Sequence, residues 1–446
     1  MHKVSQTARF MRLSPKRINN EILHILLVQY KRGGHFMKGN VIVGQSGGPT
    51  AVINSSLAGV YKTAKDRGAT AIYGMLHGIQ GFLDGQIVDL ADHIKDNLDI
   101  ELLKRTPSSY LGSCRYKLPK ASENKELYET IFAKLKELDI MYFFYIGGND
   151  SMDTIHKLSE YGKSIDSPIR FMGVPKTIDN DLAVTDHTPG FGSAAKYIAS
   201  ITKEVIRDGL VYDMKSVTVL EIMGRNAGWL TGAAALARGE DCEGPDMILL
   251  PEITFDPEAF ISRIRELQKT KKSIVIAVSE GIRLANGKYA CELENSESCV
   301  DAFGHKSLSG TGRILAGLVS SEIGCKARAI EFSTLQRCAS HIVSRVDITE
   351  AFQVGAAAVS AALNGDTGMM ITLNRVSEEP YQCTTGTYDI GLIANVEKTV
   401  PMEWIDKENF YVTNEFLNYC RPLIQAELTP VMVEGLPRHL YYKENN

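Results

Sequence analysis

The chain has 446 residues, 53 acidic against 49 basic side chains for a net charge of −4, and 44% of it is hydrophobic. Length allows two or three domains, and the mix of apolar and charged residues is that of a globular protein, which excludes a disordered chain, a collagen-like repeat and a disulfide-stapled miniprotein. No basic excess favours nucleic acid as a partner, and no run of about eighteen apolar residues supplies a membrane span.

The first segment in chain order is unlike the rest. Residues 1–36 hold seven basic side chains (Lys3, Arg9, Arg12, Lys16, Arg17, Lys31, Arg32) against Glu21 alone. An acid-poor basic leader can be a transit peptide. The codons available to Gly33–Met37 can also spell a ribosome-binding sequence ahead of an ATG, and the folded pattern starts right after Met37. The expectation is therefore that translation begins at Met37 and that residues 1–36 are leader. The eight cysteines (Cys114, Cys242, Cys291, Cys299, Cys325, Cys338, Cys383, Cys420) form no C-x-x-C pair and no zinc spacing with histidine. They read as buried thiols of a cytoplasmic protein.

From Asn40 onward, apolar strand, glycine turn and amphipathic helix alternate. Asn40–Gly44 is a strand ending in Gly47-Gly48-Pro49, followed by a helix over 51–66 that Gly68 closes. Ala71–Gly74 is a second strand. Met141–Ile146 is a third, ending in Gly147-Gly148 with a helix from Ser151, and Phe171–Val174 is a fourth. Later strands are expected at Ser216–Leu220, Met247–Leu250, Ile274–Val278 and Ala329–Phe332. Such alternation implies an α/β protein of parallel sheets with crossover helices, and strands without polar alternation imply sheets covered on both faces. Ligands of such folds sit beyond the carboxyl ends of the strands, so the strand-to-helix turns are where chemistry is sought.

Four turns carry polar residues. Gly44–Ala51 and Gly147-Gly148-Asn149-Asp150-Ser151 let backbone N–H groups approach an anion at a helix N-terminus, although Asn, Asp and Ser also serve as ordinary helix caps. Pro175-Lys176-Thr177-Ile178-Asp179-Asn180-Asp181 sets two carboxylates two residues apart beside a lysine. One carboxylate can accept a hydroxyl proton, the other can hold a metal, and the ammonium can neutralise phosphate. Met223-Gly224-Arg225-Asn226-Ala227-Gly228 adds a guanidinium, whose fork matches phosphate oxygens, and Arg115, Arg328 and Arg337 are further candidates.

At these residues the chain resembles the 6-phosphofructokinase family from about Asn40 to at least Ala361. The resemblance is carried by Gly47-Gly48-Pro49 with Asn54, Leu111-Gly112-Ser113 with Arg115, Gly147–Ser151, Thr177–Asp181, Met223-Gly224-Arg225, Ser279-Glu280-Gly281 and Leu335-Gln336-Arg337. It implies two Rossmann-like three-layer α/β/α domains with parallel-rich sheets. One, holding the phosphoryl donor, would comprise residues 37–190 plus 336–400. The other, holding the sugar phosphate, would comprise 191–335 plus 401–446. It further implies that Asp179 is the general base and that Thr177, Met223, Gly224, Arg225, Glu280, Arg328 and Arg337 bind the sugar phosphate. Gly47, Arg115, Asn149, Asp150, Ser151 and Lys176 would lie on the donor side. Mg²⁺ is the implied cofactor, with Asp150, Asn149 and Asp181 as candidate ligands. Arg328 matches an arginine that the family supplies across a subunit interface, which implies a homodimer or homotetramer.

Three positions depart from the family pattern: Asn149 replaces an aspartate associated with Mg²⁺, Thr334 replaces a sugar-site histidine, and Ser216 replaces a second cross-subunit arginine. Two more bear on the donor. ATP-using members carry glycine where this chain has Asp150 and Lys176, and both residues match the pyrophosphate-dependent branch. The expected reaction is transfer from pyrophosphate to the C1 hydroxyl of fructose 6-phosphate, with Asp150, Lys176, Asp179 and Arg225 as the catalytic set and fructose 1,6-bisphosphate as product. Alternatives are an ATP-dependent enzyme and a catalytically silent regulatory paralogue. A dinucleotide-dependent dehydrogenase fits poorly, because the first turn lacks G-x-G-x-x-G and nothing places an acid about 20 residues on in the ribose role.

Overall fold

The computed structural model describes residues 36–294, 308–393 and 396–442. The expected leader lies outside these residues except for Phe36. Two sheets organise the molecule. The first uses β1 (Asn40–Gln45), β2 (Ile72–Met75), β3 (Ile87–Asp89), β4 (Ile140–Gly147), β5 (Arg170–Pro175), β10 (Met369–Glu378) and β11 (Tyr381–Asp389) in the order β11-β10-β5-β4-β1-β2-β3. The second uses β6 (Ser216–Ile222), β7 (Met247–Leu249), β8 (Ser273–Ser279) and β9 (Lys326–Glu331) in the order β7-β8-β6-β9, with every pair parallel.

The apolar strands are buried on both faces, as their composition demands. In β1, Ile42 faces one core cluster while Val41 and Val43 face another, and none of the three is solvent-exposed. Helix α1 (Ile53–Asp66) places Ile53, Leu57, Val60 and Tyr61 at helical spacing on the Val41 side. Burying one such side chain contributes about 1.5–3 kcal/mol. Helix α3 (Arg345–Leu363) packs on α1, and the contact demands glycine on both helices. A Cβ at Gly59 would lie 2.1 Å from the Phe352 carbonyl oxygen, and one at Gly355 would lie 2.1 Å from that of Ser56. Among the described residues α3 is long and apolar enough by composition to cross a membrane, which a search for unbroken apolar runs overlooks. Its apolar side chains lie in the core instead, with Val354, Ala358 and Val359 fully buried.

In the first sheet β1 is flanked by β2 on one side and by β4 on the other. The chain reverses direction across the sheet there, which opens a crevice at the carboxyl ends of β1 and β4. The central elements match the sequence reading within one or two residues. The edges do not. The reading expects parallel strands, yet β3 pairs antiparallel with β2 and β10–β11 is an antiparallel hairpin. Strand β11 (YQCTTGTYD) is polar and half-exposed, so it carries no buried-strand signal. Strand β9 spans Lys326–Glu331 rather than 329–332, because an outer strand tolerates Lys326 and Arg328. Helix α2 (Asn149–Ser164) starts two residues before Ser151.

Candidate active site

Three turns meet at the carboxyl edge of the first sheet. Ladder partners Gln45↔Ile146 and Gly147↔Pro175 bring the ends of β1, β4 and β5 side by side. Ser46 N–H donates to the Ile146 carbonyl at 2.9 Å, and Lys176 N–H donates to that of Gly147 at 3.0 Å. The Lys176 side chain then crosses to the first turn, where Nζ donates to the Gly48 carbonyl at 2.6 Å. The segment 111–116 closes this side: Leu111 N–H donates to Gln45 Oε1 at 2.9 Å, and Ser113 Oγ donates to the Gly47 carbonyl at 2.6 Å. Asn54 braces the arrangement. Its amide donates to the Thr106 and Ser108 carbonyls, while its oxygen accepts from Tyr110 N–H and Gln45 Nε2. With these four bonds made, Asn54 shapes the turn rather than holding a ligand.

The second sheet contributes from the ends of β6 and β8. Gly224 N–H donates to Glu280 Oε1 at 3.4 Å, and Ser279 Oγ donates to the Gly224 carbonyl. Only glycine fits at 281, where a Cβ would lie 1.9 Å from the Arg225 carbonyl oxygen. Met223 N–H donates to Gln336 Oε1 at 3.4 Å, which ties this loop to the segment carrying Arg337. The Arg337 guanidinium reaches back over the first turn, where a Cβ at Gly48 would sit 3.2 Å from its Nη1.

Asp179 lies where these groups converge. Its backbone N–H donates to Thr177 Oγ1 at 3.1 Å, and that hydroxyl lies 3.5 Å from Asp179 Oδ2. Burial raises the Asp179 carboxyl, and the charges of Lys176, Arg225 and Arg337 oppose the rise. Asp181 is also raised, first by burial and then by Asp179. Glu280 is pushed up to about 7 by burial and by Asp179. Burial pushes the Lys176 ammonium down to about 8, with Asp179 opposing and Arg337 adding to the fall. Three carboxyl groups poised high beside three cations suit proton acceptance next to an anionic ligand.

Lys176, Thr177, Asp179, Asp181, Arg225, Glu280, Arg337 and Arg115 thus share one electrostatic neighbourhood. Arg328 does not join it within this chain. It sits on β9, the outer strand of the second sheet, donating from Nε to Thr218 Oγ1 at 3.1 Å and pairing with Asp208 at 3.2 Å. Asp150 is half-buried in the first turn of α2. Ser151 is 2% exposed and packs its hydroxyl over the Gly147 α-carbon, so it supports the turn.

Hard oxygen donors for a divalent cation lie at the same place. Asn149 Nδ2 is 3.5 Å from Asp181 Oδ2, while Asn149 Oδ1 is buried with no hydrogen-bond partner. An orphaned carbonyl oxygen beside a carboxylate fits a Mg²⁺-type ion. A second cluster, His187, Glu350 and Cys383, has ligand atoms within 4.8 Å of one another. It does not fit a metal, because both imidazole nitrogens bond carboxylates: Nδ1 to Asp186 at 2.8 Å and Nε2 to Glu350 at 2.7 Å. Burial would lower His187, but these partners outweigh it and push the imidazole up to about 9, leaving no lone pair for an ion.

Glu397 and Lys398 also reach the site loops, and the sequence reading missed them. They lie far from every motif, in the stretch 393–400 without a glycine turn or paired acids, so no local signal marks them.

Comparison with known proteins bears on the same residues. The phosphofructokinase family model matches residues 40–362. The pyrophosphate–fructose 6-phosphate 1-phosphotransferase of Halomonas elongata is 39% identical over 403 residues, covering 90% of this chain and 95% of that one. The enzyme of the same name from Methylococcus capsulatus is 40% identical over 406 residues, with 90% and 95% covered. The crystal structure of a pyrophosphate-dependent phosphofructokinase from Nitrosospira multiformis superimposes with a TM-score of 0.81 at 37% identity, covering 90% of this chain and 95% of that one.

Proposed function

The chain belongs to the phosphofructokinase family, and from that membership we propose that it transfers a phosphoryl group from pyrophosphate to the C1 hydroxyl of fructose 6-phosphate. The observation that carries the reading is the buried Lys176 ammonium, held between the Gly47-Gly48 turn and Asp179. A small, densely charged donor needs such a fixed cation, whereas a nucleotide has further contacts to bind by.

Asp179 takes the C1 hydroxyl proton. The freed oxygen attacks the near phosphorus of pyrophosphate, the bond from that phosphorus to the bridging oxygen breaks, and phosphate leaves. Lys176, Arg115 and Arg225 balance the charge that spreads over the transferring group. Arg337, Glu280, Thr177 and the Met223–Gly224 backbone orient the sugar phosphate. Asn149 and Asp181, with Asp150 beside them, would hold Mg²⁺, which supplies charge neutralisation for the donor. Both bond exchanges join phosphate to oxygen at similar energy, so the reaction runs in either direction.

Donor choice follows from two side chains. A carboxylate at 150 about 4 Å from a nucleotide α-phosphate costs roughly 4 kcal/mol at an effective dielectric near 20. A glycine there costs nothing. The donor is assigned to the unit of residues 37–190 plus 336–400 and the sugar phosphate to 191–335 plus 401–446, with the site in the cleft between them. Arg328 completes the sugar-phosphate site of a second copy. Leu210, Val211 and Tyr212, each more than 60% exposed close in sequence to its partner Asp208, support such an interface. Free thiols at the seven described cysteines support a cytoplasmic location.

Phosphorus NMR tests the reaction. Purified protein with Mg²⁺, fructose 6-phosphate and pyrophosphate should convert each pyrophosphate into one phosphate and one new phosphomonoester. Fructose 1,6-bisphosphate with phosphate should run backwards, and Asp179→Ala should do neither. Unchanged pyrophosphate with the wild-type protein overturns the reading.

A further inference from the structure

Between the hairpin β10–β11 and the C-terminal segment, residues 397–400 cross from one site loop to the other. On the first side, Glu397 bridges Leu182 in antiparallel fashion, and Lys398 N–H donates to the Asp181 carbonyl at 2.7 Å. The Lys398 ammonium then donates to the Thr185 and Asp186 carbonyls at 3.2 and 2.7 Å, gathering the far end of the same loop. On the second side, the Glu397 carboxylate accepts from Asn226 Nδ2, with both oxygens at 3.1 Å, and Asn226 is the residue after Arg225. The Lys398 carbonyl accepts from Trp229 Nε1 at 2.9 Å, and the ammonium lies 5.2 Å from the Trp229 ring centroid. Glu252 Oε1 completes the crossing by accepting from both Val400 N–H at 2.9 Å and Gly228 N–H at 2.8 Å.

Glu397, Lys398 and Val400, within four consecutive residues, therefore tie together the loop that carries Asp179 and the loop that carries Arg225. We propose that residues 397–400 are a strap that sets the distance between these two loops, and that Lys398 is a positioning residue for phosphoryl transfer. The inference rests on the reaction proposed above, in which Asp179 and Arg225 act on opposite ends of one reacting C1–O–P unit. Neither Glu397 nor Lys398 need touch either substrate. Their effect should fall on turnover, because misplacing reacting groups by about 1 Å can cost about a hundredfold in rate. A lysine is suited to the place because one ammonium can donate to two carbonyls at once, that of Thr185 and that of Asp186, which also accepts from Tyr419 Oη.

Steady-state kinetics in the pyrophosphate direction test this on Lys398→Met, Lys398→Arg, Glu397→Ala, Asn226→Ala and the double variant Glu397→Ala/Asn226→Ala. Each rate is divided by the folded fraction measured by near-ultraviolet circular dichroism. Lys398→Met should lose about tenfold or more in kcat with both KM values within about threefold, and Lys398→Arg should recover most of the loss. Asn226→Ala should have little further effect once Glu397 is alanine, since the two act through one contact. A kcat per folded site equal to wild type in Lys398→Met overturns the proposal, as does a Lys398→Arg variant no better than Lys398→Met, or strict additivity of the Glu397 and Asn226 effects. Failure of the reaction itself is read separately, from the wild-type protein: turnover there with unaffected variants sinks the strap alone, and no turnover sinks both.

Discussion

The family resemblance implies glycine, in a nucleotide-using site, at the positions of Lys176 and Asp150, and the proposed donor choice rests on these two side chains. Restoring both glycines, in Asp150→Gly/Lys176→Gly, removes the repulsive carboxylate and the compensating ammonium together. The expected outcome is a fall in kcat/KM for pyrophosphate and a rise for ATP, so that their ratio moves toward ATP by about a hundredfold or more, given the roughly 4 kcal/mol at stake. Competing-donor rates measure it. The same lysine sets a limit on pH. Burial leaves its free-enzyme value at about 8, so the cation is lost as pH rises through that value. Asp179 and Glu280 must be ionised, and both are raised, Glu280 to about 7. The profile of kcat/KM for pyrophosphate should therefore fall below about 7 and above about 8. Lys176→Arg should lose only the alkaline limb, because a guanidinium stays charged. Asp150, Lys176 and Asp179 were legible in the sequence as polar residues on strand-end turns, while Glu280 and the specific roles came from the family resemblance. Lys398 was not, since its partners are backbone carbonyls that any residues could supply.

The loop 176–190 is the element on which the site depends, and it is pinned at several points. Asn180, in a left-handed backbone conformation at φ 55°, donates to Tyr419 Oη at 2.8 Å and accepts from Thr188 N–H at 3.1 Å. Tyr419 Oη in turn donates to the Asp186 carbonyl at 2.6 Å. His187, 1% exposed, links the loop to α3 through Glu350, whose other oxygen accepts from Tyr381 of β11 at 2.7 Å. Folding raises His187 from its ordinary 6.5 to about 9, because the two carboxylates outweigh the cost of burial. Its contribution is complete below pH 6.5 and is lost as pH rises through about 9, amounting to roughly 3 kcal/mol at most. Thermal melting should show the wild-type protein losing stability across that window. His187→Gln should start lower and show a shallower decline. An unchanged slope in the variant would contradict the imidazolium clamp. Nothing in the sequence announced this clamp, because it joins residues 163 apart and depends on the hairpin β10–β11, whose polar outer strand lacks the signature of a buried element.

For the whole molecule, the alternation of strand and helix gave the class of fold, and the carboxyl ends of β1, β4, β5, β6 and β8 supply the site as that class requires. The antiparallel edges were hidden because edge strands face solvent and need no apolar run. The second copy expected to receive Arg328 was suggested by resemblance alone, since an arginine on an outer strand looks like any solvated residue. What unites the scales is the proposed reading of the site, for a donor with nothing beyond its phosphates: a fixed ammonium, a carboxylate at 150 proposed to close the route of a nucleotide tail, and two loops proposed to be held at a set distance. The most direct test is the ratio of kcat/KM for pyrophosphate to kcat/KM for ATP, measured on the wild-type protein with Mg²⁺ and saturating fructose 6-phosphate. The account predicts a ratio of about a thousand or more in favour of pyrophosphate, in line with the roughly 4 kcal/mol of repulsion. A ratio near one, or in favour of ATP, would contradict it.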